Sequence, residues 1–319
     1  MKPVQLDIAV RTDPGRERTG NEDSFLVAAS NGAGVSLPSG GTVEVAGSGW
    51  VALAVCDGMG GAAAGEVASR LAVETLSGTL LAGGAAASRD DLGRRLVAGV
   101  EEASRAIHAA AQADRARHGM GTTATVCALR GDVLFIAQVG DSRAYLLREG
   151  RLTQLTRDQT LATLLIERGQ LRPEDLDSFD LGHVILQAVG TAPSVEVDLV
   201  ELQVARGDVL LVCSDGLSGP VRDEAIRAVL AEASSPGEAV EALVARANEA
   251  GGPDNVTCIV ARLGGDGLAP PAHDAAPAKA CLAPEGPPAA VEDVVDVEAE
   301  TPPRAWLARL AALVGLGPA

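Results

Sequence analysis

Val51-Ala-Leu-Ala-Val-Cys-Asp57-Gly58-Met59-Gly60-Gly61 is an apolar run halted by an aspartate and then by glycines. It reads as a buried strand that delivers a carboxylate to a flexible turn. The glycines let the backbone approach a ligand closely, and Asp57 supplies charge, so such a turn could hold a metal ion. A single Asp-Gly turn is more often a plain surface turn. The reading depends on whether Asp57 has partners.

Three further aspartates share its context. Asp141 lies in Gly140-Asp-Ser-Arg143, between two β-rich runs. Asp215 lies in Ser214-Asp-Gly216, where the apolar run 208–213 stops. Asp254 lies in Gly251-Gly-Pro-Asp-Asn255, just before the run 256–262. If these strands align, their ends gather at one edge of the sheets. Gathered carboxylates repel one another unless cations neutralise them. Oxygen ligands with no Cys or His among them suit Mg²⁺ or Mn²⁺ rather than zinc. Each aspartate alone would more often only cap a turn; the recurrence at apolar strand ends argues against that.

The pattern outward from this stretch predicts strands over 6–11 and 24–29, joined by a loop that carries Arg18, Glu22 and Asp23. The adjacent carboxylates Glu22 and Asp23 can share one cleft only if the backbone there is irregular. Residues 30–49 read as a loop or a loose hairpin around 42–45. A helix is predicted over 63–81, where Val67, Leu71, Thr75 and neighbouring apolar positions recur at helical spacing, and another over 90–115 with Leu92, Leu96, Val100, Ala103, Ile107 and Ala110 on one face. Gly131-Asp132 and Glu149-Gly150 divide 122–129, 133–139, 144–148 and 152–156 into antiparallel hairpins. A helical insertion at about 157–192 reads as a flap over a cleft. Strands at 194–203 and 208–213, helices at 223–233 and 236–249 and a strand at 256–262 complete a domain over 1–262.

Beyond it, residues 263–303 are rich in Ala and Pro with scattered acids, which predicts a disordered linker. Residues 304–319 form a short amphipathic helix with Trp306, Leu307, Leu310, Leu313 and Val314 on one face. At about 20 Å it is too short to cross a bilayer core of about 30 Å. It would make a peripheral contact with a membrane surface, dock on a protein partner, or fold back on its own domain.

The 319 residues are 47% hydrophobic but only 2% aromatic, so Leu, Val, Ile and Ala must fill the core. A formal charge of -17 argues against a nucleic-acid partner. Five cysteines with no Cys-x-x-Cys spacing, four of them in apolar runs, read as core residues. The first residues lack an apolar leader and nothing reaches the length of a transmembrane segment, which predicts a cytoplasmic protein.

Taken together, Arg18-x-x-Asn21-Glu22-Asp23, Asp57-Gly-Met-Gly-Gly, Gly121-Thr-Thr, Gly140-Asp-Ser-Arg, Cys213-Ser-Asp-Gly and Gly252-Pro-Asp-Asn resemble, in order and spacing, the bacterial PPM (type 2C-like) metal-dependent serine/threonine protein phosphatases over residues 6–262. The resemblance implies an α+β, four-layer α-β-β-α sandwich: two antiparallel sheets flanked by helix pairs, with a helical flap inserted. It implies two Mn²⁺ or Mg²⁺ ions per active site and a weaker third. Asp57 would bridge the pair, the Gly58 carbonyl would bind the first ion, and Asp215 and Asp254 would complete the second. Glu22 and Asp23 would hold the ions or their waters, Asp141 with Asp215 would form the third site, and Arg18 would grip the substrate phosphate. Catalysis would proceed by attack of a metal-bridging water or hydroxide on phosphoserine or phosphothreonine. The partners implied are phosphorylated proteins, including a Ser/Thr kinase and its substrates.

The sequence departs from the wider family in three places. Met59 stands where many eukaryotic relatives carry a histidine proposed as general acid, so the leaving oxygen would take its proton from a metal-bound water. Ser178-Phe-Asp-Leu-Gly-His183 replaces a His-Pro-x-Arg run in the flap, leaving His183 as a residue of open role. The loop over 30–49 also looks long. A non-catalytic regulator on the same fold, or a binuclear hydrolase of another phosphoester such as a nucleotide, are the competing readings.

Overall fold

The computed structural model describes residues 3–30, 38–47, 49–60, 64–82, 88–271 and 279–282. Along them run β1 (Val4–Asp13), β2 (Ser24–Ala29), β3 (Thr42–Gly47), β4 (Trp50–Cys56) and the two-residue β5 (Gly58–Met59). The helices α1 (Ala64–Ala82) and α2 (Arg89–Ala113) follow, then β6 (Gly121–Thr122), β7 (Ala124–Arg130), β8 (Val133–Val139), β9 (Arg143–Arg148) and β10 (Arg151–Gln154). After α3 (Leu161–Glu167) come β11 (Asp198–Gln203), β12 (Val209–Cys213), α4 (Asp215–Ser218), α5 (Asp223–Glu232), α6 (Pro236–Glu249), β13 (Val256–Gly264) and β14 (Lys279–Leu282).

Two six-stranded antiparallel sheets result. One has the order β10-β9-β12-β13-β1-β3 and the other β14-β11-β8-β7-β4-β2, while β5 and β6 form a separate small ladder. Between the sheets Ile8, Val10, Leu146, Val212 and Ile259 of the first meet Val27, Leu53, Val55 and Ile136 of the second. The outer face of the second sheet packs on α1 and α2, and that of the first on α5 and α6. These are the four layers α-β-β-α. Both faces of β4 are therefore buried, which is why it reads as an unbroken apolar run rather than an alternation.

α1 faces the sheet through Ala64, Ala68, Ala72, Leu76 and Leu80, whereas Val67 and Leu71 of the predicted stripe are only partly buried. Small side chains on α1 meet Ala52 and Ala54 of β4 in the same cluster. Val67 and Leu71 pack against the margin of the same core. On α2 the predicted face is the buried one, through Leu92, Leu96, Val100, Ala103 and Ile107. Each fully buried leucine of these faces contributes about 1.5–3 kcal/mol of hydrophobic free energy.

Three sequence expectations are corrected. β3 pairs with β1 at a sheet edge and is not half of a local hairpin. β11 begins at Asp198, because residues 194–197 still belong to the return path of the flap. The chain also does not leave the domain at 263: β13 runs to Gly264, Leu268 is buried among the inter-sheet residues, and β14 pairs with Leu199–Leu202 of β11. Residues 272–278 and 283–303 of the predicted linker and the predicted helix over 304–319 lie outside the described residues. Cys56, Cys127, Cys213 and Cys258 are buried and unpaired in disulfides. Among the described residues no helix is long and apolar enough to cross a membrane.

The layers bring the functional turns to one end. β4 ends just before Asp57, β12 ends before Asp215, and β13 starts after Asp254. At residues 140–142 the chain passes from β8 in one sheet to β9 in the other. The flap has its own small core, in which Leu161, Leu165 and Val184 gather Leu171, Phe179, Leu181 and Leu186.

Candidate active site

A cleft of about 260 Å³ opens at this end of the sandwich. Arg18, Glu22, Asp57, Gly58, Met59, Asp141, Asp215 and Asp254 line it from the sheets and loops, and His183, Val184 and Ile185 from the flap. Asp23 lies beneath, buried, and its Oδ2 accepts a hydrogen bond from Ser214 Oγ at 2.9 Å.

Each group is placed by its local chain. The Asp57 amide donates to Thr123 Oγ1 at 2.9 Å, and the Asp57 carbonyl accepts from Thr123 N at 2.8 Å and Thr122 Oγ1 at 2.7 Å. Thr123 Oγ1 in turn lies 2.8 Å from Ser142 Oγ, so the end of β4 is tied to the crossing between the sheets. Behind it Thr125 Oγ1 donates to Gln138 Oε1, and Gln138 Nε2 donates to the carbonyls of Gly140 and Ser142. At Gly58 a Cβ would stand 2.3 Å from the Gly65 carbonyl oxygen and 2.5 Å from that of Glu22, so only glycine fits where α1, β5 and the Glu22 loop converge.

Asn255 fastens the loop over 13–23 to the site. Its Nδ2 donates to the carbonyls of Pro14 and Gly20 at 3.0 and 2.8 Å, and its Oδ1 accepts from Glu22 N at 2.8 Å. Its own amide donates to Asp254 Oδ1. Arg18, held on that loop, forms a two-point ion pair with Asp254. Beside Asp141, Arg143 is bidentate to Asp158 and donates to Tyr145 Oη, which donates to Asp223.

The electrostatics are those of crowded buried acids. Burial, then the neighbouring Asp23 and Asp215, lifts Asp57 well above the usual carboxylate range. Burial and then Asp215 and Asp158 do the same to Asp141, and burial also raises Asp215. Asp23 is pushed up to about 7 by burial, against the opposing hydrogen bonds of Thr257 and Ser214. Oδ1 of Asp215 and Oδ1 of Asp23 are buried without a partner. Among the described residues no three His, Cys, Asp or Glu side chains close into a ligand shell. The oxygen-only donor set and its unpartnered buried oxygens fit Mg²⁺ or Mn²⁺.

The Protein phosphatase 2C family model matches residues 41–249. The chain belongs to the protein phosphatase 2C family. It is 38% identical over 260 residues, 80% of its length, to the serine/threonine protein phosphatase PstP of Mycobacterium tuberculosis, but spans only 45% of that relative. With the serine/threonine phosphatase stp of Listeria welshimeri it shares 33% identity over 78% of this chain and 93% of the relative. A solved catalytic domain of PstP, in complex with two manganese ions, is 37% identical and superposes with a TM-score of 0.66 over 82% of this chain and 99% of that one.

Within this 2C-family chain the structure brings together, around one cleft, Arg18, Glu22, Asp57, Gly58, Asp141, Asp215 and Asp254, and sets Asp23 behind them. Met59 and His183 also line it. Reading the sequence missed the roles of Thr123 and Asn255, although both stand inside the quoted motifs. It missed the Arg143–Asp158 pair altogether. Asp215 opens a four-residue helix rather than an open Asp-Gly turn.

Proposed function

We propose that this chain is a metal-dependent phosphoprotein phosphatase that hydrolyses phosphoserine and phosphothreonine and so opposes Ser/Thr kinase signalling. The observation that carries the reading is the unpartnered buried Oδ1 of Asp215, in the same cleft as Asp57, Asp254 and the Arg18 guanidinium. Asp57, the Gly58 carbonyl, Asp215 and Asp254 would hold two Mn²⁺ or Mg²⁺ ions, with Glu22 and Asp23 supporting them and Asp141 offering a weaker third position. When bound, such a pair acidifies water and offsets phosphoryl charge during in-line displacement.

The chain's own residues do the rest. Arg18 presents a planar fork that grips two phosphate oxygens at once. Thr123 and Thr122 fix the Asp57 backbone, so its carboxylate enters the cleft in one placement. Met59 has no proton to give, which leaves protonation of the departing serine or threonine oxygen to another donor. The solved PstP domain with two manganese ions and the phosphatase names of the relatives support the reading.

The test is Mn²⁺-dependent hydrolysis of phosphopeptides and p-nitrophenyl phosphate by the full chain, beside a panel of nucleotides. Asp57→Asn and Asp215→Asn should each lower kcat/KM by at least about 100-fold, the scale seen when a preorganised charge is lost. Full activity in both variants, or turnover of nucleotides alone, rejects the proposal.

A further inference from the structure

The flap is tied to the sheets through one buried amide. Gln159 is 5% exposed and engages all its polar groups. Its Oε1 accepts from Gly140 N at 2.8 Å and from Gln187 Nε2 at 3.0 Å, and its Nε2 donates to Asp198 Oδ2 at 3.0 Å. Its backbone amide donates to the Gly140 carbonyl at 3.0 Å, and its carbonyl accepts from Leu186 N at 2.7 Å. Gln187 also donates to the Glu196 carbonyl at 2.6 Å and accepts from Glu196 N at 3.2 Å. The outgoing limb of the flap, its returning limb and the turn that carries Asp141 therefore meet at a single side chain.

That junction has little freedom. Gly140 sits at φ +94°, and a Cβ there would be 2.7 Å from Thr123 Cγ2, so the turn is seated directly on the residue that holds Asp57. The cleft-lining residues of the flap stay close to the same point: Leu161 N donates to the Val184 carbonyl, and Ile185 bridges to Thr160. A neutral amide makes these joins without adding charge to a cleft already crowded with carboxylates, and in a dry site each of its bonds is worth more than in water. Asp198 can only accept when ionised, which orients the amide with Nε2 towards it and Oε1 towards Gly140.

We infer that Gln159 is a positioning residue for substrate recognition: it sets the height of the flap rim, Val184 and Ile185, over the cleft by bonding the flap to the Gly140–Asp141 turn. A small aryl phosphate needs only the floor of the cleft. A phosphopeptide must also pass beneath the rim, so Gln159 governs peptide engagement. The inference rests on the phosphatase reading above.

Four proteins test it: wild type, Gln159→Leu, Gln159→Glu, and the double variant Gln159→Glu with Asp198→Asn, which reverses donor and acceptor while keeping net charge. Steady-state kinetics with Mn²⁺ on a phosphothreonine peptide and on p-nitrophenyl phosphate are measured, with thermal unfolding to establish that each is folded. The expected result is a peptide KM raised about tenfold in Gln159→Leu and Gln159→Glu, a change about the size of one net hydrogen bond although Gln159→Leu removes all three of the side chain's bonds. Activity on the aryl phosphate should stay within about threefold, and the double variant should recover peptide KM, as a restored bond requires. An unchanged peptide KM, a parallel fall on both substrates, or no recovery in the double variant overturns it. Should Gln159→Leu not fold, the comparison of Gln159→Glu with the double variant decides. A wild type inactive on both substrates defeats the phosphatase reading instead.

Discussion

The guanidinium of Arg18 clasps the carboxylate of Asp254, with Nη2 3.1 Å from Oδ2 and Nε 3.1 Å from Oδ1. One partner is the proposed phosphate grip and the other a proposed cation ligand, so each holds the other back from its task. The pair is partly exposed, which keeps its strength modest.

Cation binding and phosphate binding should therefore be coupled. Asp254→Asn is expected to tighten inorganic phosphate on the EDTA-treated protein by about fivefold, the lower end of ordinary coupling. Isothermal titration calorimetry measures it, and equal phosphate affinity in the two proteins contradicts the coupling.

Acidic residues with raised pKa values fix the sign of a pH effect. A carboxyl that is harder to ionise when folded stabilises the fold fully below its unfolded value, and that contribution fades as pH rises through the folded value. For Asp23 the window runs from about 3.8 to about 7, and Asp57, Asp141 and Asp215 act in the same direction. The EDTA-treated protein should lose stability between about pH 4 and pH 7. Mn²⁺ must displace these protons, so it should raise Tm more at pH 8 than at pH 5. Differential scanning fluorimetry at the two values reads the difference.

Neutralising one of these acids should stabilise the EDTA-treated fold even as it lowers the proposed phosphatase activity. Asp215→Asn removes a buried carboxylate from beside Asp57. Its Tm in EDTA at pH 8 is expected to rise by about 2–4 °C, the shift of roughly 1 kcal/mol in a domain of this size. A lower Tm would count against carboxylate crowding as the source of strain.

Asn255→Ala should harm both stability and activity. It removes three hydrogen bonds of a buried side chain that fasten the Arg18 loop. A cost of about 2–4 kcal/mol follows from about 1 kcal/mol per bond plus the donors and acceptors left unmet. Urea unfolding gives the stability, and a KM for phosphopeptide raised at least about fivefold would report the displaced Arg18.

How much of this was legible in the sequence depends on where each residue's signal lies. Asp57, Asp141, Asp215 and Asp254 announced themselves because an acid at the end of an apolar run is a local pattern. Arg18 was legible as a cleft residue through its motif, but its grip on Asp254, 236 positions away, carries no local sign. Thr123, Asn255 and Gln159 act through bonds to partners far along the chain, and a buried Gln or Asn looks in sequence like any loop residue. On α1 hydropathy ranks Val67 and Leu71 above Ala68 and Ala72, whereas in the fold the alanines are fully buried and Val67 and Leu71 only partly so, a difference that local hydropathy does not carry. β14 escaped notice because its partner strand and its Ala- and Pro-rich surroundings say nothing of each other.

The alanine-lined seat of α1 has a consequence for how this chain can vary. The same helix carries Gly65, whose carbonyl abuts Gly58 and whose Cα faces the Glu22 carboxylate. The N-terminal half of α1 is bedded on the methyl groups of Ala64, Ala68 and Ala72, so one added carbon at Ala68 or Ala72 would be transmitted to the Gly58 backbone at the cleft. Residues with no reactive group thereby act as gauge blocks for the chemistry. Substitutions that a packing survey would class as mild should register first as lost turnover, before the fold itself gives way.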